Sequence, residues 1–499
     1  MAEKVLHWID GELCDGSGSQ IVAVENPATG KEFAQFNVAS DSDLDRAVAS
    51  AQKAQKKWGA LSIAKRVDVM YKMRQLVLDN QDKLAKLIVE DHGKDYSDAI
   101  GEIQRGRETL DFACGINANM KGESSTNIAT GVDINVIRQP LGVVAGICPF
   151  NFPVMVPMWM HPLALATGNA FILKPAMQVP RVSLLIAELY QKAGLPDGLF
   201  QVLIGDKELV TSILEHDGIS AVSFVGSTPV ARIIQETGVK HGKRVQALGG
   251  ANNHAIVMPD CDLEFAAKHI SAAAFGAAGE RCMALPTVVA VGSAGDKLAD
   301  YVKKHADAIT IGFGLDEGVE MGPVISKAAE ERIVGLIDDA EKRGATIVRD
   351  GRGFRPEGYP DGHFVGPTII DDCPLDAPVY TNEIFGPVLV IVRAKTYEEA
   401  IKIVNAQPFG NGSAIFTNDG GVGRRFALDV EAGMVGINVP IPTPVAYYSF
   451  GGWKNSLLGD THIHGPEGVR FYTRAKAITS RWPTDSGPYE ATMSFKRED

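Results

Sequence analysis

From residue 143 to residue 258 the chain alternates short apolar runs with helical stretches, and this pattern constrains the fold more than any other. The apolar runs read VVAGI, AFILK, LFQVLI, AVSFVG and HAIVM, and a helical stretch separates each run from the next. Such alternation predicts a parallel, doubly wound sheet. Ligands bind these sheets at the carboxyl ends of the strands, which singles out Asn151, Lys174 and Ser227.

Helical patterns precede this region at 41–57, 63–92 and 97–115, and a second alternating region follows from 259 to about 442. Residues 122–141 interrupt the helical pattern, because Val132, Ile134 and Val136 alternate with polar residues as in a strand with one wet face. The tail segment FYTRAKAITSRW is another strand candidate. We expect the 122–141 strand to leave its domain and serve as an oligomer contact.

Composition indicates an ordinary soluble protein. The 499 residues include 49 basic and 61 acidic side chains, which argues against a nucleic-acid or anionic-membrane surface. Six scattered cysteines suit a reducing cytosol, and the N-terminus lacks an apolar signal core. The long uncharged run from Gln139 to Leu173 contains five prolines, which argues against a membrane helix. We therefore expect a cytoplasmic location.

The segment FGAAGERCMA, residues 275–284, places Cys282 directly after Arg281. A cationic neighbour favours the thiolate, which is the nucleophilic form of cysteine. The small residues before it would leave room for a substrate to approach the backbone. An isolated cysteine is more often inert core, so the nucleophile hypothesis needs support from the rest of the chain.

Three polar residues at strand ends each allow a functional and a structural interpretation. Ser227 follows AVSFVG and precedes a helix, which suits a pyrophosphate or is simply a turn and cap. Lys174 could hold ribose hydroxyls or mark the solvent edge of its strand. Asn151 in PFNFP is either an oxyanion donor or a buried amide with structural partners.

The segments ICPFNFP, FILKPA, FVGST, GERCMA and EIFGPV, in this order across nearly the whole chain, resemble the aldehyde dehydrogenase superfamily. GERCMA, the GINVPIPTP run and FYTRAKAITSRW are similar to its CoA-acylating branch, the methylmalonate-semialdehyde dehydrogenases. The resemblance implies an α/β fold with two doubly wound parallel-sheet domains and a small β extension for oligomerisation. It implies an NAD-binding domain at 1–121 and 142–248, a catalytic domain at 249–442, the extension at 122–141 and 443–483, and a C-terminal tail at 484–499.

The resemblance also implies roles for individual residues. Cys282 would attack the aldehyde, and the Asn151 amide with the Cys282 backbone N–H would hold the oxyanion. Lys174 and Glu383 would bind the two riboses of NAD, and the glycines at 249 and 250 would permit close approach of the nicotinamide. The implied cofactor-binding residues together are Cys148, Phe150, Lys174, Met177, Gln178, Gly226, Ser227, Gly249, Glu383 and Phe385. No metal is implied.

One departure from the wider superfamily concerns how the acyl-enzyme is released. Hydrolytic members have a glutamate immediately before L-G-G, where it activates water, but this sequence reads QALGG with Ala247 in that place. The thioester on Cys282 should therefore resist hydrolysis and wait for a thiol such as coenzyme A.

A second departure concerns the substrate. Arg281 stands beside the nucleophile, and Arg105 in GEIQRG matches the helix arginine of the branch. Paired guanidinium groups suit a substrate carboxylate, because each presents parallel donors to two oxygens. Arg105 could instead form an ordinary ion pair on a helix surface.

These features predict oxidation of malonate or methylmalonate semialdehyde, with NAD and CoA, to acetyl- or propionyl-CoA and carbon dioxide by a homo-oligomer, dimer or tetramer. Met177 stands where many NAD-using relatives have a glutamate, so NADP remains an alternative cofactor. A CoA-independent aldehyde dehydrogenase of broader specificity and a non-catalytic protein on the same fold are the alternative functions.

Overall fold

The computed structural model describes residues 2–482. The predicted C-terminal tail, 484–499, lies outside the described residues, as does residue 483 of the predicted extension. The predicted limits of the domains stay predictions. Among the described residues, no helix combines the length and the apolar composition needed to cross a membrane.

The strands, in chain order, are β1 Glu3–Lys4, β2 His7–Ile9, β3 Glu12–Cys14, β4 Ile21–Asn26, β5 Lys31–Asn37, β6 Glu123–Ala129, β7 Val132–Pro140, β8 Val143–Ile147, β9 Ala170–Lys174, β10 Phe200–Val202, β11 Ala221–Val225 and β12 Arg244–Leu248. They continue as β13 His254–Val257, β14 Thr287–Val291, β15 Thr346–Arg349, β16 Thr368–Asp371, β17 Val388–Ala394, β18 Phe409–Gly410, β19 Gly412–Phe416, β20 Met434–Ile437, β21 Trp453–Lys454, β22 Leu457–Leu458 and β23 Thr473–Arg481.

The α-helices are α1 Asp41–Gly59, α2 Ile63–Asp79, α3 Gln81–His92, α4 Tyr96–Cys114, α5 Met155–Met158, α6 His161–Ala166, α7 Arg181–Lys192, α8 Lys207–Glu215, α9 Thr228–Lys240, α10 Leu263–Phe275, α11 Gly295–Asp307, α12 Lys327–Lys342, α13 Pro378–Thr381, α14 Tyr397–Asn405, α15 Gly420–Asp429 and α16 Gly465–Tyr472. Short 3-10 turns lie at Ile116–Ala118, Gly276–Gly279 and Gly292–Ala294.

The apolar runs of the first alternating region form the centre of an eight-stranded sheet in the order β22-β12-β11-β8-β9-β10-β2-β3. Strands β12 to β10 are parallel, and the edge strands are antiparallel. Every residue of β8, β9 and β11 is buried. Both faces are therefore covered, as a parallel sheet requires.

The second alternating region forms a seven-stranded sheet in the order β15-β16-β17-β14-β13-β19-β20. It is parallel apart from the antiparallel edge strand β15. The two sheets confirm the prediction of an α/β fold with two doubly wound parallel sheets. The first strand of this sheet begins at His254, six residues after β12 ends, so the chain passes between sheets through a short segment around Gly249.

Two details of the sequence prediction were wrong. The helical pattern at 63–92 is two helices, because the chain breaks at Asn80, which ends α2 and begins α3. The single strand expected at 122–141 is a hairpin of β6 and β7, and β23 pairs along the whole of β7. Within the predicted extension, β22 pairs with β12 of the first sheet.

Asn169, which is fully buried, joins three parts of the fold just before β9 begins. Its amide oxygen accepts from Leu141 N at 2.8 Å and Gly142 N at 3.0 Å. Its amide nitrogen donates to Ala164 O and to Tyr472 O, both at 3.0 Å. One side chain thus hydrogen-bonds to backbone groups just before β8, in α6 and at the end of α16.

We expect Asn169→Ala to lower the free energy of unfolding by about 3 kcal/mol or more, because the amides of Leu141 and Gly142 and the carbonyl of Tyr472 lose the hydrogen bonds of this side chain. Urea denaturation followed by fluorescence measures this change. Asn117→Ala at an exposed position is the matched control and should leave the midpoint unchanged. Equal midpoints for the two variants would contradict this account.

Candidate active site

A left-handed turn presents the cysteine motif at the end of α10. Ala277 and Ala278 have φ near 50° and Gly279 has φ 71°, a conformation that costs non-glycine residues about 1 kcal/mol each. A Cβ at Gly279 would collide with the backbone oxygen of Gly386. Packing within the protein therefore requires glycine at 279, and the expected approach of a substrate to this backbone stays a prediction.

Two asparagines that the sequence analysis missed hold the peptide of Cys282. Its carbonyl oxygen accepts from Asn253 Nδ2 at 3.0 Å and from Asn411 Nδ2 at 3.1 Å. Asn253 and Asn411 are both buried. Each stands just before a strand of the second sheet, β13 and β19, which are neighbours. A polar residue before an apolar strand was the only signal in the sequence.

Arg281 favours the Cys282 thiolate, as the sequence predicts, but burial outweighs this effect in the protein without ligands. Burial raises the pKa of Cys282 to about 12, and the nearby Glu383 carboxylate adds to the increase. Arg281 lowers it by a smaller amount. At neutral pH Cys282 is therefore a neutral thiol in this state.

The charge of Arg281 has a partner within the protein. Its Nη2 donates to Asp98 Oδ1 in a short ion pair, with the two side chains 20% and 16% exposed. Burial opposes ionisation of Asp98, but the charges of Arg281 and Lys94 outweigh it and lower the pKa of Asp98 below its ordinary value. Asp98 is thus a carboxylate that neutralises Arg281.

A cavity of about 450 Å³ brings together Cys282, Arg281 and Arg105. Arg105 Nη1 contacts the Glu108 carboxylate at 2.8 and 3.0 Å, which is the helix-surface ion pair that the sequence left open. Its Nη2 donates to the Thr443 carbonyl oxygen at 3.1 Å. Aromatic and methionine side chains cover much of the remaining wall, and the carboxyl groups of Asp98 and Glu102 also line it. The cavity therefore offers one thiol and two guanidinium groups in a mainly apolar setting.

Asn151 is buried, and its amide nitrogen donates to the Glu280 carbonyl oxygen at 2.9 Å. Its second amide hydrogen has no acceptor among residues 2–482. Asn151 O accepts from Lys94 Nζ at 2.7 Å, so its backbone is also held. The side chain is thus tied to the residue two positions before Cys282, with one donor to spare.

Lys94 is the centre of a buried network that the sequence analysis did not find. Besides Asn151, its ammonium group contacts Glu102 Oε2 at 2.8 Å and lies 3.6 Å from Asp98 Oδ2. Glu102 Oε1 accepts from Val154 N at 2.7 Å at the start of α5. The network links the segment around Asn151 to helix α4.

Cys148, Lys174 and Gly226 follow or end three adjacent strands of the first sheet, β8, β9 and β11. Ile147 lies opposite Lys174 in the register, and Cys148 N donates to Lys174 O at 3.1 Å. Ser227 precedes α9, and its side chain makes no capping hydrogen bond. The structure thus places these predicted residues along one carboxyl edge.

Lys174 and Glu383 each have an unusual environment. Lys174 is buried, and no acceptor for its ammonium group lies among residues 2–482; burial lowers its pKa to about 8. Glu383 Oε1 accepts from Ala251 N at 2.8 Å, and burial raises its pKa to about 7. A buried ammonium group without a partner fits a ligand that supplies hydroxyl oxygens.

The predicted aromatic pair Phe150 and Phe385 meets edge to face at 5.8 Å between ring centroids. Phe150 also stacks on the ring of His92 at 5.8 Å. Of the two residues predicted after Lys174, Met177 is half-buried against the first core and Gln178 is exposed.

The glycines at 249 and 250 are needed by the protein itself. A Cβ at Gly249 would lie 2.6 Å from Asn455 O and 2.7 Å from Thr228 Oγ1, and one at Gly250 would collide with the Glu383 carboxylate. This packing is a second reason for glycine beside the expected close approach of a cofactor, which stays a prediction. Ala247, the position of interest before them, is fully buried in β12 opposite Leu458.

Comparisons with known proteins agree with this geometry. The model of the aldehyde dehydrogenase family matches residues 14–478. Malonate-semialdehyde dehydrogenase of Pseudomonas aeruginosa is 48% identical over 490 residues, which cover 98% of each chain. A crystal structure from Sinorhizobium meliloti, assigned as a methylmalonate-semialdehyde dehydrogenase and complexed with NAD, superimposes with a TM-score of 0.96 at 48% identity, covering 97% of this chain and 99% of that one. That of methylmalonate-semialdehyde dehydrogenase from Oceanimonas doudoroffii gives 0.95 at 48% identity, with the same coverage.

We expect iodoacetamide to modify Cys282 about tenfold faster for each pH unit between about pH 7 and about pH 9 in the ligand-free protein. A pKa raised to about 12 leaves the thiol neutral below that value, so the thiolate fraction grows with pH. Peptide mass spectrometry measures the rate, with Cys282→Ala to identify the modified peptide. A rate that levels off below about pH 8 would show a thiolate already formed.

Proposed function

Because this chain belongs to the aldehyde dehydrogenase family, we propose that it oxidises malonate or methylmalonate semialdehyde and transfers the shortened acyl group to CoA. The products are acetyl- or propionyl-CoA, carbon dioxide and NADH. The observation that carries the proposal is the cavity shared by Cys282, Arg281 and Arg105. The substrates named for the relatives from Pseudomonas and Sinorhizobium carry both an aldehyde and a carboxylate, which suits this combination.

Cys282 acts as the nucleophile. Its thiolate attacks the aldehyde carbon and gives a tetrahedral thiohemiacetal whose oxyanion needs donors. The spare amide hydrogen of Asn151 and the Cys282 backbone N–H provide them. Arg281 and Arg105 bind the substrate carboxylate. To do so, each guanidinium group gives up part of its present contact, Arg281 with Asp98 and Arg105 with Glu108 and the Thr443 carbonyl oxygen.

NAD, when bound, accepts the hydride that leaves the thiohemiacetal carbon. The residues that would hold it are Lys174 and Glu383 for the riboses and Ser227 for the pyrophosphate. The buried, unpartnered ammonium group of Lys174 and the free hydroxyl of Ser227 at the start of α9 support this assignment. Met177 supplies no carboxylate to the adenosine ribose, so NADP is a second candidate.

After oxidation, the thioester carbonyl on Cys282 lies β to the substrate carboxylate. The C–C bond to the carboxylate breaks, carbon dioxide leaves, and the electron pair becomes an enolate whose oxygen the same two donors stabilise. Protonation at carbon then gives the acetyl or propionyl thioester.

The thiol of CoA takes this acyl group by thioester exchange. Water is the competing nucleophile, and it needs a base. Ala247 supplies none, and the acidic side chains that line the cavity, Asp98 and Glu102, are paired with Arg281 and Lys94. The thioester should therefore persist until CoA arrives.

We further propose a homo-oligomer in the cytoplasm. Strand β6 forms one edge of a three-stranded sheet, and all of its residues are exposed. An exposed edge of this kind invites pairing with another chain. All six cysteines are free, in keeping with a reducing compartment.

The first test is NADH formation from malonate semialdehyde with and without CoA, with the acyl product identified by mass spectrometry. We expect steady turnover only with CoA, and acetyl-CoA as the product. Steady turnover without CoA, giving a free acid, would favour the CoA-independent alternative. If the Cys282→Ala variant retains activity, Cys282 is not the nucleophile.

A second test replaces Ala247 with glutamate, which restores the carboxylate of the hydrolytic relatives. We expect Ala247→Glu to raise the rate of CoA-independent acid release by about 10²-fold, the usual contribution of a general base. Ala247→Gln, of the same size but without a base, should not raise it. Equal rates for the two variants would contradict the role given to position 247.

A further inference from the structure

We propose that Asp98 is a positioning residue that orients Arg281 and thereby gives the enzyme its preference for aldehydes that carry a carboxylate. This inference rests on the proposed function and deepens it. Asp98 acts through Arg281, so its effect should depend on whether the substrate has a carboxylate to meet that guanidinium group.

The first observation is the contact itself. Within residues 2–482, Asp98 is the one side chain or carbonyl to which the Arg281 guanidinium donates a hydrogen bond. Only Nη2 takes part. A guanidinium group has five N–H donors in a rigid plane, so fixing one nitrogen leaves the others to a ligand while setting their direction.

The second observation is a space into which Arg281 could turn. A second cavity, of about 490 Å³, lies next to the one that holds Cys282, and Asp98, Gly101 and Arg281 line both. Asp95 and Glu320 also line the second cavity and would attract the guanidinium group there. Lys268 and His305 line this cavity too, so its charge is mixed. Without Asp98, no hydrogen bond to the described residues holds the Arg281 guanidinium in the Cys282 cavity.

The third observation is the close packing of the guanidinium group against Gly276. A Cβ at Gly276 would lie 2.5 Å from Arg281 Nη1 and 2.7 Å from Cζ. Gly276 has φ −56°, which any residue adopts, so the requirement for glycine there is one of space. Asp98 and Gly276 together define where the group sits.

Asp98 is itself held in place. It lies in the first turn of α4, where Asp98 N donates to Asp95 Oδ1 at 2.9 Å, and its Oδ2 lies 3.6 Å from the buried Lys94 ammonium group. Lys94 keeps Glu102 as a partner when Asp98 is replaced. Removing Asp98 therefore need not leave that buried cation unpaired.

The experiment compares malonate semialdehyde with propanal, an aldehyde without the carboxylate, in the presence of NAD and CoA. We expect Asp98→Ala to lower the ratio of kcat/KM for malonate semialdehyde to that for propanal by about 10- to 100-fold, the range for a misplaced binding group. The change should fall mainly on KM, since carboxylate binding is lost in the ground state and the transition state alike. Asp98→Asn, which keeps an acceptor oxygen, should restore part of the ratio.

Asp111→Ala is the matched control. Asp111 lies on the same helix and pairs with Arg74 in a similar short contact, away from the cavity. We expect it to leave the ratio unchanged. If Asp98→Ala also leaves the ratio unchanged while propanal is still oxidised, the inference is overturned.

If Asp98→Ala loses activity toward both aldehydes, Gly276→Ala decides, because its Cβ displaces the guanidinium group and the variant retains Asp98. A lowered ratio supports the inference, and an unchanged ratio overturns it. Failure of the wild-type protein to oxidise malonate semialdehyde would instead remove the proposed function, and the inference with it.

Discussion

The ammonium group of Lys94 is fully buried, and a buried charge is stable only where opposite charges and hydrogen bonds replace the lost water. Glu102 and the carbonyl oxygen of Asn151 do so directly, and Asp98 lies close by. Each partner is connected to a different part of the candidate site. Glu102 accepts from the backbone at the start of α5, Asn151 is the proposed oxyanion donor, and Asp98 pairs with Arg281. The contacts of the Lys94 ammonium group thus set the relative positions of Asn151 and Asp98. On the proposed mechanism, the first acts at the aldehyde end of the substrate and the second, through Arg281, at the carboxylate end.

In the ligand-free protein the reactive charges are satisfied internally. Arg281 is neutralised by Asp98, Arg105 by Glu108, and Cys282 retains its proton because burial disfavours the thiolate. The Cys282 thiol is therefore poorly nucleophilic, and both arginines are paired, before ligands bind. On the proposed mechanism, substrate and cofactor supply the charges that shift these balances, so reactivity is coupled to binding instead of being a property of the free thiol.

Much of the fold could be predicted from the sequence because it depends on local patterns of apolar residues. Runs such as AFILK and AVSFVG became buried parallel strands, and their carboxyl ends brought Cys148, Lys174 and Ser227 to one edge. The errors have local causes too: Asn80 divides a continuous helical pattern, and the turn between β6 and β7 divides one alternating run. Neither break changes the hydrophobic period that carried the prediction.

The sequence by itself determined the alternation of strands and helices that gives the two parallel sheets, the position of Cys282 beside Arg281, and the alanine at 247 in place of a carboxylate, because these depend on residue type and spacing along the chain. Only the tertiary structure decided the electrostatics of the site. The pairing of Arg281 with Asp98, 183 positions apart, and the raised pKa of Cys282 depend on burial and on which distant groups meet. Both depend on packing in three dimensions, and they cannot be inferred from the adjacency of Arg281 and Cys282 in the sequence.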